Sequence, residues 1–364
     1  MMKPLRVVLL FSLLVMRGAN SLAEEPDAKA LLKNAKTWMY QLQGLEQPDA
    51  IEALAKSNYD LLVLEPTRLV KGNEDFDTAG MVRKLRTLPN GKRRLLLAYI
   101  DIGEAEDFRT YWQKDWRKPT PKRKGKPDFI VSPDPDGWTG DYPVAFWDIR
   151  WKKIWLSSST MGATKEEQLD RSFSHSNVDK GKWLGESGWV RQLAKDGFDG
   201  VYLDWVEAYD HPPVRKAAKA QGLDAEEEMV RFIEQIGEEG RKVKPDFLVF
   251  PQNAAFLADK DPVRYFKGID GLGVEDTWFH GTADAKWEDP KGGDQPTDDT
   301  PARLAQYQKF IAAGKPVFSI DYCLKPENAA KVYTEAKKWG LRALVTRISL
   351  SSITPFPPPG EQQP

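Results

Sequence analysis

The chain has 364 residues, 53 basic and 54 acidic, leaving a formal net charge of −1. That balance excludes recognition of nucleic acid or another polyanion by bulk charge, while 41% hydrophobic content provides a core for one large domain or two small ones. The lone cysteine, Cys323, excludes an intrachain disulfide, and three histidines, none at ligand spacing, argue against a histidine zinc site.

The N-terminus reads as an address. Lys3 and Arg6 precede an apolar run over 7–16, and Ser21-Leu22-Ala23 offers a small-residue cleavage site. This is the pattern of a secretory signal peptide over 1–23, and the run is shorter than the roughly 20 residues of a membrane span. The mature chain is expected to be secreted or periplasmic, monomeric, and free of the membrane after cleavage.

Residues 24–36 read as a polar, helical lead-in. Strand-like runs then alternate with helical patterns, which predicts an α/β fold with parallel strands. The strands are expected at 38–42, 61–65, 95–101, 144–148, 201–204, 247–251, 271–275, 317–321 and 343–347. Helices are expected at 48–57, 76–87, 104–116, 187–196, 224–241, 301–313 and 327–339. Nine strands exceed by one the eight of a closed (β/α)8 TIM barrel, so either 144–148 or the last run is expected outside the ring. No Gly-x-Gly-x-x-Gly follows the first strand, which disfavours an open dinucleotide-binding sheet. Long irregular segments at 117–143, 157–186 and 280–300 follow strand ends and predict long loops gathered on the C-terminal face. Within them, Lys122-Arg123-Lys124 is read as a solvated loop. The barrel is expected to span 37–353, followed by a Pro-rich disordered tail over 354–364.

Several of these strands stop at an acid: Glu65, Asp101, Asp148, Asp204, Glu275 with Asp276, and Asp321. Acids also cap helices, so one such ending carries little weight; six on one face imply an acidic cleft. Side chains alternate along a strand, so Asp204 shares a face with Tyr202 and Gly200, and Glu275 with Gly273 and Gly271. The two glycines are expected to leave open space beneath Glu275. Asp101 is expected above Tyr99, and Asp321 above Ser319. Paired carboxylates can cleave a glycosidic bond, one donating a proton and the other attacking carbon or activating water. A cluster of acids without histidine can instead hold Mg²⁺ or Ca²⁺. The 13 Trp and 11 Tyr suit sugar rings as well as core packing, and favour sugar chemistry.

The ordered set Trp38-Met39-Tyr40-Gln41-Leu42, Ala98-Tyr99-Ile100-Asp101-Ile102-Gly103-Glu104-Ala105-Glu106, Gly197-Phe198-Asp199-Gly200-Val201-Tyr202-Leu203-Asp204 and Gly273-Val274-Glu275-Asp276 resembles glycoside hydrolase family 114, the endo-α-1,4-polygalactosaminidase-like barrels. The resemblance spans roughly residues 37–350. It implies a secreted (β/α)8 hydrolase of an α-linked galactosamine-containing polymer, retaining and without a cofactor. It also implies Asp204 and Glu275 as the catalytic pair; of the two orders of roles, Asp204 is taken as nucleophile and Glu275 as acid/base. The family stretch continues after the Asp with Asn and a further Asp, whereas Trp205-Val206-Glu207 follows here. Substrate contacts are therefore expected to differ at that point.

Tyr40, Asp101, Glu104, Asn253, Asp321 and Trp205 are the expected substrate contacts, with stabilisation of the barrel rim as the alternative for each. A ring of carboxylates attracts a polymer bearing free amines, so a neutral or cationic amino-sugar is the expected substrate. Two other readings stay open. A non-catalytic carbohydrate-binding barrel would bind sugar without cutting it, and a carboxylate-metal hydrolase would lose activity to a chelator.

Overall fold

The computed structural model describes residues 27–117, 125–157, 188–298 and 300–359. The expected signal peptide and Lys122-Arg123-Lys124 lie outside them. Twelve strands are present among the described residues: β1 Trp38–Gln41, β2 Leu61–Leu64, β3 Leu95–Asp101, β4 Glu104–Glu106, β5 Asp141–Pro143, β6 Gly200–Asp204, β7 Leu248–Pro251, β8 Leu272–Glu275, β9 Phe279–His280, β10 Gln295–Pro296, β11 Val317–Tyr322 and β12 Arg342–Thr346. The helices that matter here are α1 Ala28–Asn34, α2 Pro48–Lys56, α3 Thr78–Leu85, α4 Ile149–Trp155, α5 Trp189–Asp196, α6 Pro212–Ala220, α7 Ala225–Arg241, α8 Pro262–Gly268, α9 Thr300–Ala312 and α10 Pro326–Trp339.

Eight parallel strands form a (β/α)8 barrel. Five are laddered in the order β1-β2-β3-β6-β7 and three as β8-β11-β12. A parallel bridge from Gln252 to Gly273 joins β7 to β8. At the other seam, Trp38 Nε1 donates to Arg342 O at 3.0 Å, and Leu42 N and Gln43 N donate to Leu350 O. Buried on both faces, the strands read as near-continuous apolar runs such as Leu61-Leu62-Val63-Leu64. The lead-in is α1, whose backbone carbonyls at Leu32 and Lys33 receive Arg342.

Of the two candidates for a place outside the ring, it is 144–148. Val144 makes an isolated bridge to Ile130, and Asp148 caps α4 by accepting from Arg150 N at 2.8 Å. Asp148 therefore ends no strand. The helix expected over 104–116 is also absent. Asp101 Oδ1 takes Gly103 N and Glu104 N in a tight turn, and β4 then pairs antiparallel with β5. A second two-stranded ribbon, β9 with β10, follows β8. Both ribbons stand on the C-terminal side of the barrel.

The interior is aromatic. Paired residues of adjacent parallel strands share a face, so Tyr99 stands with Tyr202 and Phe250. Tyr40 packs on Tyr202 with ring centroids 5.1 Å apart and on Trp38 at 6.0 Å. The space expected beneath Glu275 is occupied. A Cβ on Gly273 would lie 2.1 Å from the Tyr202 hydroxyl, and one on Gly271 would lie 2.4 Å from the Phe250 ring. These glycines admit rings from β6 and β7 instead of leaving a void. The expected free tail is docked at its start, because Thr354 is fully buried and Tyr333 OH donates to Phe356 O.

Candidate active site

A cleft of about 960 Å³ opens at the C-terminal ends of the barrel strands, near the top of the roughly 300–1,000 Å³ seen for small-molecule sites. Tyr40, Asp101, Glu104, Asp204, Trp205, Asn253 and Glu275 all line it. Asp321 does not. It is fully buried, and its Oδ1 accepts Trp278 N and Phe279 N, fixing the turn between β8 and β9. On β11 the inward residues are Phe318, Ile320 and Tyr322, in register with Gly273 and Glu275 of β8. The cleft residue there is Tyr322, one place beyond the acid.

Asp204 ends β6, half-buried. Its Oδ2 accepts Tyr99 OH at 2.7 Å and its Oδ1 accepts Trp205 N at 2.7 Å. Glu275 ends β8 and is held more fully. Tyr322 OH donates to Oε1, and Gln252 Nε2 and Asn253 Nδ2 both donate to Oε2. Asn253 Oδ1 also accepts Glu275 N at 2.8 Å, so one amide grips both the main chain and the carboxylate. Trp205, Asn253 and Asp276 take left-handed backbone conformations (φ 49°, 58° and 54°) within two residues of the ends of β6, β7 and β8. Such geometry costs energy for residues with a Cβ and gathers at functional sites.

The two carboxyls are driven upward to different extents. Burial pushes Asp204 up to about 6, opposed by the hydrogen bonds from Tyr99 and Trp205. Burial and the nearby Asp204 charge push Glu275 up to about 7, opposed by Tyr322 and the two amides. Separated environments of this kind let one acid be ionised while its neighbour keeps a proton.

Around the pair the cleft is acidic. Its lining holds twelve carboxyl side chains and two guanidinium groups among the described residues. Arg109 is committed to Glu65 at 2.6 Å and Glu106 at 2.5 Å, and lies 5.7 Å over the Tyr99 ring. Arg303 donates to the carbonyls of Glu275 and Asp276. Glu104 is almost wholly buried, its Oε1 has no hydrogen-bond partner, and burial together with Asp101 pushes its carboxyl up to about 12. Asp101 rises well above its ordinary value through burial and Asp204.

A family model, glycoside-hydrolase family GH114, matches residues 174–359. The chain belongs to glycoside hydrolase family GH114. Both Asp204 and Glu275 fall inside the matched stretch. Membership in GH114 makes the chain a glycoside hydrolase. An uncharacterised protein of Deinococcus radiodurans is 31% identical over 330 residues, covering 90% of this chain and 85% of that protein. One of Thermotoga maritima is 25% identical, covering 86% and 81%. Among solved structures, Aspergillus fumigatus Ega3 complexed with galactosamine is similar with a TM-score of 0.52 at 14% identity, covering 92% of this chain and 97% of that one. The glycoside hydrolase domain of PelA from Pseudomonas aeruginosa is similar with a TM-score of 0.52 at 14% identity, covering 88% and 100%. These structures share the fold seen here.

Tyr99, Tyr322, Gln252, Arg109 and Arg303 were not singled out as site residues from the sequence. Alternation along β3 carries the signal for Tyr99, which lies on the face of Asp101; for Tyr322 the alternation drawn with Asp321 inward points the wrong way, and the register of β11 against β8 reverses it. Arg109 carries none, because its stretch reads as a helix.

Proposed function

We propose that the chain is an exported, endo-acting, retaining hydrolase of an α-linked galactosamine-containing polysaccharide. The observation that carries this reading is the pair itself. Asp204 and Glu275 share one acidic cleft, each gripped by separate donors, with Glu275 holding its proton to higher pH.

In the first step, the Asp204 carboxylate attacks the anomeric carbon as Glu275 protonates the departing glycosidic oxygen. The product is a glycosyl ester on Asp204. In the second step, Glu275, now ionised, takes a proton from water as that water attacks the same carbon and releases Asp204. Two inversions retain the anomeric configuration. Tyr99 and Trp205 N–H orient the nucleophile; Tyr322, Gln252 and Asn253 orient the acid. Tyr40, whose OH donates to Gln252 Oε1 at 3.3 Å, supports that amide from below. Asp101, Glu104 and Trp205, which line the cleft, are assigned as substrate contacts.

The sugar is inferred from charge. A lining dominated by carboxyls, with both guanidinium groups already engaged, favours a cation and repels an anion. The galactosamine in the Ega3 complex is consistent with that choice. Protonated carboxyls such as Glu104 can ionise against an arriving ammonium, so cationic oligomers should release protons on binding.

A panel of galactosamine polymers, fully acetylated and de-N-acetylated, tests the reading. The de-N-acetylated polymer should bind more tightly and be cut internally, with the α-anomer as the first product by NMR. Preference for the acetylated polymer would contradict the charge argument, and first release of the β-anomer would contradict retention. A chelator should leave the rate unchanged.

A further inference from the structure

The two ribbons outside the barrel each carry an arm. The first arm is the described segment 134–140 leading into β5, braced by Asp134, whose Oδ2 accepts Gly137 N at 2.6 Å and Trp138 N at 2.7 Å. Its base, next to the β4–β5 ladder, is tied by Asp107 N donating to Gly140 O. The arm between β9 and β10 is tied by Thr282 N to Lys291 O and by Ile348 N to Gly292 O. Each arm is therefore fixed to its own side of the barrel.

They meet over the cleft. Thr139 N donates to Asp284 Oδ2 at 3.2 Å, and a Cβ built on Gly137 would lie 3.9 Å from Ala283 Cβ. In ring order, β3 and β8 are separated by β6 and β7. A contact between loops that follow β3 and β8 must span the mouth above the strands that end in Asp204 and Glu275. Asp136, Trp138 and Thr139 from one arm, and Gly281 and Asp284 from the other, line the cleft. Thr139 and Asp284 are both exposed, and a hydrogen bond open to water is readily exchanged for bonds to solvent.

We propose that the Thr139–Asp284 contact is a clasp that must part for an internal stretch of polymer to be laid into the cleft, making the two arms determinants of endo attack. This rests on the reading of the chain as a polysaccharide hydrolase. Arms anchored to separate sides of the barrel and joined only by a weak, exposed contact are the arrangement of a lid that opens without disturbing the site below it. A short oligomer can pass beneath a closed clasp, whereas an internal segment of a long chain cannot.

A reversible covalent clasp provides the test. Gly137→Cys with Ala283→Cys places the Cβ atoms within the roughly 3.5–4.5 Å of a disulfide, and the native Cys323 is buried away from it. The strain of a side chain at Gly137, where φ is +100°, is common to the oxidised and reduced forms and cancels between them. Oxidised enzyme should cut and bind immobilised de-N-acetylated galactosamine polymer at least tenfold less well than the same enzyme reduced, while cutting the trimer within twofold. Equal polymer cleavage by the two forms, or equal loss on polymer and trimer, would overturn the clasp. If the double variant does not fold, Asp284→Ala should raise the association rate with polymer several-fold, and an unchanged rate overturns it. If wild-type enzyme cuts no such polymer, the hydrolase reading fails by itself, and polymer binding by the oxidised and reduced forms still decides the clasp.

Discussion

Two tyrosine hydroxyls hold the two carboxylates, and each should set one limb of the pH profile. Activity requires Asp204 ionised and Glu275 protonated, so kcat/KM should be bell-shaped with its limbs near the values of about 6 and about 7. Tyr322 donates to Glu275 and lowers its pKa. Tyr322→Phe should therefore carry the alkaline limb to higher pH and leave the acid limb in place. Tyr99 lowers Asp204 in the same way, so Tyr99→Phe should carry the acid limb to higher pH. A pH–rate series on soluble polymer separates the two, and a larger movement of the other limb than of the assigned one, in either variant, would contradict the assignment. Asp204 was legible in the sequence because an Asp-Gly turn, a Val-Tyr-Leu strand and a terminal acid need no tertiary information. Tyr322 was not, because Asp321 beside it is the more polar residue. Only the register of β11 against β8 shows that the acid turns away and the phenol turns in.

Among the elements, β6 and β8 position the pair, and each depends on a contact at its own base. Gly273 on β8 accepts the Tyr202 ring from β6, and a methyl group there would collide with the hydroxyl. Gly273→Ala should cost about 1–3 kcal/mol in urea denaturation and also reduce kcat, because Glu275 lies two residues further along the strand. Unchanged stability would show that the ring can move aside. Asp199, just before β6, is completely buried, accepts Leu96 N at 3.0 Å, and is paired with Arg93 and Lys244. Asp199→Ala strands those cations and should cost about 3–5 kcal/mol. Despite burial, these partners hold the Asp199 carboxyl below its ordinary value. Its contribution is then complete above the free-carboxyl value of about 3.9 and lost as pH falls through the lower folded value. Acid denaturation of wild type and variant should converge in that window. The alternation of strands and helices was readable because its periods are local. The 104–116 stretch was misread because its shape comes from distant partners: Asp101 in a turn, β5 across a ribbon, and Glu65 on Arg109.

For the whole molecule, a net charge of −1 conceals a strongly polarised distribution, with carboxyls concentrated at the mouth of the barrel. The barrel and the acidity of its mouth were both legible, because strand ends recur at acids. The loops that carry the arms were legible as long irregular segments at 117–143 and 280–300 on the C-terminal face, but their contact across the mouth was not, since it joins residues far apart in the chain. Concentrated charge makes binding of a cationic polymer sensitive to salt, because screening shortens from about 10 Å at 0.1 M to about 3 Å at 1 M. KM for de-N-acetylated polymer should rise several-fold over that range, while KM for the acetylated polymer should change little. The most direct test of the carboxylate pair is the turnover of de-N-acetylated galactosamine polymer by Asp204→Asn and Glu275→Gln, both confirmed as folded by their melting temperatures. The pair predicts a loss of at least about a thousandfold in kcat for each, and cleavage by either variant within tenfold of wild type would contradict it.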